Sequence, residues 1–237
     1  VINDINAPLM NFYRSVQQNF GALSEELAGL EAIYNSNRAA FEAQKQLHPD
    51  ERVEDANEPL YYHLRDMYNG LIPAEYSDAA LYFYINKIAY SGMIRYNARG
   101  EYNVPYGRYK NFNTGMITEA HHNLLANTEI HNGDYGQIFN LAMSEDFIFL
   151  DPPYDCIFLD YGNEEYREGF NEANHRQLAQ DYFNLGCRAL MVIGATPLTR
   201  ELYGGHIITE YDKNYSVNIR NRFQAEAIHL LITNYEL

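Results

Sequence analysis

Residues 147–154, Phe-Ile-Phe-Leu-Asp-Pro-Pro-Tyr, hold the groups in this chain whose types and spacing best suit chemistry. A short apolar run ends in one carboxylate, Asp151, followed by two prolines and one flat ring, Tyr154. The run has the pattern of a strand buried on both faces of a parallel sheet. Pro152 and Pro153 fix φ and remove two N–H donors, so the backbone turns stiffly just past the strand end. In open α/β sheets, ligands and catalytic groups collect at that carboxyl edge. Asp151 and the Pro152 carbonyl offer two acceptors and Tyr154 a stacking face, a set that suits a planar base carrying an exocyclic amine. The same letters also describe an acidic strand end with a Pro-Pro turn. The apolar strand before them and the tyrosine after them favour chemistry.

Three further stretches carry candidate groups. Asp4 follows a short apolar lead, and a carboxylate at such a strand end can accept both hydroxyls of a ribose while Ile5 packs on an adenine face. A helix cap formed by Asp4 or Asn6 explains the same residues. Asn132-Gly133-Asp134-Tyr135 follows a strand expected at 128–131, where Asp134 can cap the helix beginning at Gly136. Tyr90 to Lys110 interleaves tyrosines with basic and amide side chains. Arginine there suits guanine N7 and O6, while lysine and backbone groups suit phosphates. With 22 tyrosines in the chain, an ordinary tyrosine-rich loop is the alternative.

The elements that must position these groups alternate. Strands are expected near Val1–Asp4 and at 128–131, 146–151, 187–194, 206–211 and 225–233. Helices are expected from Ala7, over Leu23–Leu47 (with Leu27, Leu30, Ile33, Tyr34 and Phe41 on one face), over Tyr61–Tyr68, Asp78–Tyr90 and 171–185. Residues 91–117 lack a regular period and read as a hairpin and loops. The alternation predicts a doubly wound α/β sheet interrupted by a mostly helical insertion at about 58–127.

Taken together, the motifs carry a resemblance. Asp151-Pro152-Pro153-Tyr154 looks like the catalytic motif of the amino-methyltransferases that methylate adenine N6 in DNA, although related tetrapeptides occur in enzymes acting on RNA bases or glutamine side chains. Val1 to Asn6 resembles a cofactor motif of that family. Tyr90 to Lys110 resembles the DNA-reading segment of its Dam-type members, which act on GATC, and Arg222 to Tyr235 resembles its closing strand. The chain is thus similar to the D12 class, Dam-like. This implies a Rossmann-like methyltransferase fold, with a catalytic domain at 1–57 and 128–237 and a target-recognition domain at 58–127.

The resemblance also implies S-adenosylmethionine as cofactor, held by Asp4, Ile5, Asp134, Tyr135 and Asp151, with Asp151, Pro152, Pro153 and Tyr154 catalytic. Duplex DNA would meet Tyr90, Ser91, Met93, Arg95, Asn97, Arg99, Asn103, Pro105, Tyr106, Arg108 and Lys110, with Phe158 and Tyr161 closing over the target base. Arg95 matches the guanine-reading arginine, Tyr90 the aromatic beside the flipped base. The Lys-containing motif and glycine-rich turn that the family carries before this point are not in the sequence, so an N-terminal segment is expected to be missing. A silent DNA-binding remnant, or a methyltransferase of RNA or protein amides, are the competing readings.

Composition bounds these expectations. The 237 residues suffice for a full core. Cys156 and Cys187 form neither a Cys-x-x-Cys pair nor a zinc pattern, which points to the reducing cytoplasm. His121-His122 reads as a solvated helix end, and neither a metal nor a membrane is expected to take part. A monomer or weak dimer is expected. The net charge of −15 repels a phosphate backbone. Between Lys87 and Lys110, however, five basic residues face one acid, Glu101, leaving a local +4 strip. Binding through that strip would be weak and strongly salt-dependent.

Overall fold

A computed structural model describes residues 1–155, 170–214 and 226–236. The chain divides into two compact units, 1–133 and 134–237, and is mixed α/β.

The first unit opens with strand β1 (Ile2–Asp4), which pairs in parallel with β2 (Ile130–Asn132). The intervening chain is mainly helical. Helix α1 (Ala7–Gln18) starts where the Asn6 side chain accepts the Leu9 N–H at 3.1 Å, and Pro8 fits its first turn. Helix α2 (Phe20–Leu47) buries Leu23, Leu27, Leu30 and Tyr34, the spacing of a single helical stripe. The expected stripe is corrected at Ile33, which is 42% exposed because it lies off the face that Leu30 and Tyr34 turn inward. Helix α3 (Asn57–Tyr68) and helix α4 (Asp78–Ile88) complete the core, and α5 (Glu119–Ala126) leads to β2. Helix α4 is buried on nearly every side, and Ser77 caps it by accepting the Ala80 N–H. His121 closes the α5 capping box as an exposed residue.

Tyrosine builds much of this core. Tyr34, Tyr61, Tyr82, Tyr84, Tyr102 and Tyr106 are all buried. Helices α1 and α2 share that single core with the 58–127 stretch. A buried phenol needs a partner for its hydroxyl. Tyr34 donates to the Tyr109 carbonyl at 2.6 Å, Tyr61 to the Val104 carbonyl at 2.9 Å, and Tyr106 to Asp55 Oδ2 at 3.0 Å. Burial raises the pKa of each of these six phenols, to about 12 for Tyr82.

The second unit holds α6 (Tyr135–Leu141), β3 (Phe147–Leu150), α7 (Glu172–Phe183), β4 (Arg188–Gly194), α8 (Pro197–Tyr203), β5 (Ile207–Asn214) and β6 (Glu226–Thr233). Its sheet runs β3-β4-β6-β5, with β3 and β4 parallel and β6 antiparallel to both neighbours. Leu150, Met191, Ile193, Leu230 and Ile232 pack on Leu178 and Tyr182 of α7. The expectation that 147–150 is buried on both faces is corrected. Phe147 is 54% and Phe149 60% exposed, whereas Ile148 and Leu150 turn to the core. The period-two alternation of a strand sends the phenylalanines to a face that no described element of this unit covers.

Candidate active site and nucleic-acid interface

Asp151 sits in the open at the carboxyl end of β3, and Tyr154 is half-buried three residues on. The seat of Tyr154 is formed by the strands beside it. Gly194 ends β4 beside the tyrosine ring, where even a Cβ would sit 3.7 Å away in ordinary van der Waals contact. His229 of β6 pairs across from Gly194 and is fully buried. Its ring meets Tyr154 edge-on, with centroids 5.1 Å apart and planes at 87°. The Tyr154 hydroxyl lies 3.3 Å from Asp151 Oδ1 and 3.4 Å from His229 Nδ1. Past the turn, Asp155 accepts a 2.6 Å bond from Thr196 Oγ1, and Thr196 itself caps α8. The tetrapeptide is thus braced on its flank by β4, β6 and the α8 cap. What it presents outward is one carboxylate beside one anchored ring.

Asp134 caps α6 by accepting the Gly136 N–H at 2.8 Å. Tyr135 donates its hydroxyl to Asp181 Oδ2 at 2.8 Å and packs its ring on Phe139. In the first unit, Asp4 ends β1 and its Oδ1 accepts the Asn6 N–H at 2.7 Å. Asn132 Nδ2 donates to the carbonyls of Asp4, at 2.8 Å, and Ile5, at 3.2 Å, which fixes the strand end. The helix-cap duty that sequence left open between Asp4 and Asn6 falls to Asn6.

The 90–110 segment folds back as an irregular hairpin. Asn97 N–H donates to Glu101 O and Asn103 N–H to Arg95 O, with Gly100 at φ 78° in the turn. Tyr102, Val104 and Tyr106 alternate inward, while Asn103 and Pro105 face out. Arg95 is oriented by Asn103, donating from Nε to Oδ1 at 2.7 Å and from Nη2 to the backbone carbonyl at 3.2 Å. Tyr90 is 56% exposed, Arg99 stands at the tip, and Met93 is half-buried. Ser91 and Arg108 take left-handed backbone angles, φ 55° and 57°. Arg108 pairs with Glu58 at 3.3 Å, and Lys110 lines a cavity of about 390 Å³ with Asn35, Arg38 and Glu42.

Two of the residues expected to meet DNA are engaged within the protein. Tyr106 is 5% exposed with its hydroxyl on Asp55, so it pins the hairpin to the core. Asn97 is spent inside the turn, accepting the N–H groups of Arg99 and Glu101 and donating to Glu101 Oε2. Phe158 and Tyr161 lie outside the described residues. His229, Gly194 and Thr196 were not singled out from sequence. Their signals were a lone histidine inside the apolar run Ala227–Ile232 and a Gly-Ala-Thr-Pro strand end. Among the described residues, no three His, Cys, Asp or Glu side chains gather as a metal site.

The family model for D12 class N6 adenine-specific DNA methyltransferase matches residues 1–217. The chain is 38% identical over 220 residues to the type II methyltransferase M.CviBI of Paramecium bursaria Chlorella virus NC1A, covering 90% of this chain and 80% of that protein. It is 29% identical to the type II methyltransferase M.MjaIII of Methanocaldococcus jannaschii, over 99% of this chain and 80% of the relative. A DNA adenine methylase of Haemophilus influenzae is 24% identical over 86% of this chain and 67% of its own length.

Proposed function

This chain belongs to the D12 class of N6 adenine-specific DNA methyltransferases, and on that premise we propose that it moves a methyl group from S-adenosylmethionine to adenine N6 within GATC in duplex DNA. The observation that carries the reading is the exposed Asp151 carboxylate beside the anchored Tyr154 ring. The target adenine turns out of the stack and lies against the face of Tyr154. Its amine is a poor nucleophile because the lone pair is delocalised into the ring. Hydrogen bonds from N6 to the Asp151 carboxylate and the Pro152 carbonyl draw that lone pair out of conjugation. Charge developing on N6 is met by acceptors already in position, and the proton leaves afterwards.

S-adenosylmethionine, when bound, supplies an electrophilic methyl group. Each unit carries acceptors whose chemistry fits it. Asp4 spends one carboxylate oxygen on Asn6 and keeps another for ribose hydroxyls, and exposed Asp134 suits an adenine amine. DNA is held by the +4 strip from Lys87 to Lys110, with Arg95 reading guanine and exposed Tyr90 filling the stack. The doubly wound, Rossmann-like arrangement belongs to the same reading, supported by the parallel β1-β2 and β3-β4 pairs, and so does the recognition role of 58–127. So does a cytoplasmic monomer or weak dimer. The test is transfer of labelled methyl groups to duplexes that contain or lack GATC. Transfer confined to GATC duplexes is expected. Transfer to RNA or to a glutamine peptide instead would overturn the substrate assignment.

A further inference from the structure

We infer that His229 is a positioning residue for methyl transfer, acting on Asp151 through the Tyr154 hydroxyl. The inference rests on the reading of Asp151 and Tyr154 as the catalytic pair. A phenol has one proton and can donate it to one acceptor at a time. With that proton on Asp151 Oδ1, 3.3 Å away, the phenol oxygen is left to accept from His229 Nδ1–H at 3.4 Å. The order is then His229 to Tyr154 to Asp151, ending on one carboxylate oxygen. Holding Oδ1 fixes the carboxylate plane and leaves Oδ2 to take the amine hydrogen bond.

The surroundings of His229 suit this task. It is fully buried in a row across three strands, with Gly194 of β4 opposite on one side and Tyr211 of β5 on the other. Tyr211 packs on its ring with centroids 5.4 Å apart, so the imidazole is held between two tyrosine rings. A buried imidazole on an otherwise apolar strand costs desolvation that leucine would not. The next residue on the same face of the strand, Leu231, is aliphatic. The polar residue occurs at the position that reaches the ring of the catalytic turn.

The test uses four variants of the protein, assayed for kcat, for KM toward DNA and for thermal midpoint. His229→Leu is expected to lower kcat about tenfold, the upper end of what one neutral hydrogen bond is worth, with KM for DNA little changed. Tyr154→Phe keeps the stacking face and removes the hydroxyl, so it should give the same loss. The double variant should be no worse than either single one, because both break one chain of bonds. His229→Asn, whose amide falls near the place of Nδ1, should recover most of the rate. Full additivity of His229→Leu and Tyr154→Phe, or unchanged kcat in His229→Leu, overturns the inference. So does a loss explained by a lower thermal midpoint and unrescued by asparagine. A wild-type protein that methylates no duplex adenine would instead overturn the functional reading beneath it.

Discussion

Asn103 provides a sharp test of the proposal that the hairpin reads DNA. The Arg95 guanidinium carries five N–H donors, and Asn103 engages two of the groups that bear them, Nε and Nη2. On the proposed reading, Nη1 and the remaining hydrogen of Nη2 are the donors that meet a guanine edge. Asn103→Ala removes the Oδ1 acceptor and keeps the backbone bond from Nη2. The lost bond is charge-assisted, worth about 1.5–3 kcal/mol if nothing replaced it. Both residues are half-buried, so water recovers part of that, and about 1 kcal/mol of orientation should be lost. Discrimination between a site with guanine and one without it should then fall about fivefold. Arg95→Ala removes the whole contact and should cost about 1–3 kcal/mol, roughly 5- to 150-fold. Asn103→Asp keeps an acceptor and should keep the preference. The assay is kcat/KM on duplexes differing by one base pair, at fixed salt because phosphate contacts are salt-dependent. If Asn103→Ala and Arg95→Ala lower kcat/KM equally on every duplex, Arg95 is a phosphate contact and the argument fails.

Asp151→Ala should lower kcat by about 100- to 1,000-fold or more while leaving duplex binding in a gel-shift assay largely intact, and full activity would remove the carboxylate from the mechanism. Gly107→Ala should destabilise the first unit by about 1–3 kcal/mol, because a Cβ there would lie 2.7 Å from the Ile88 carbonyl oxygen and 2.9 Å from the Ala89 carbonyl carbon; an unchanged urea midpoint would refute this. Alkali should unfold that unit cooperatively. Six buried phenols have folded pKa values raised above that of the unfolded chain, so their contribution to stability is complete below about pH 10 and declines as pH rises beyond it. Each costs up to about 1.4 kcal/mol per pH unit while ionised only in the unfolded chain, so together they remove a large part of a domain's stability. Tyrosinate absorbance reaching the full amplitude of all 22 phenols while circular dichroism is retained would contradict this.

The elements that sequence revealed best were those with one dominant signal. Helix α1 follows from Asn6 and Pro8, and the β3 turn from four apolar residues ahead of two prolines. Outward-facing Asn103 and Pro105 could have been separated from inward Tyr106 by the Tyr102-Val104-Tyr106 alternation, which the surrounding glycines and asparagines obscure. What sequence could not carry was pairing across distance. That Gly194 lies beside Tyr154, and that His229 stands opposite, depends on the register of β4 against β6. The exposure of Phe147 and Phe149 was hidden for a related reason, since an apolar run reads alike whether one face or two are covered.

The preference for tyrosine over tryptophan in this core has an optical consequence. With 22 tyrosines and no tryptophan, the intrinsic emission of the protein is tyrosine emission alone, leaving the longer-wavelength window dark. A fluorescent adenine analogue placed at the target position would report in that window without competing signal. Its quenching on stacking against Tyr154 could be followed in real time, separating extrusion of the base from the chemical step. A single tryptophan introduced at position 90 would make a matching reporter on the hairpin proposed to meet DNA.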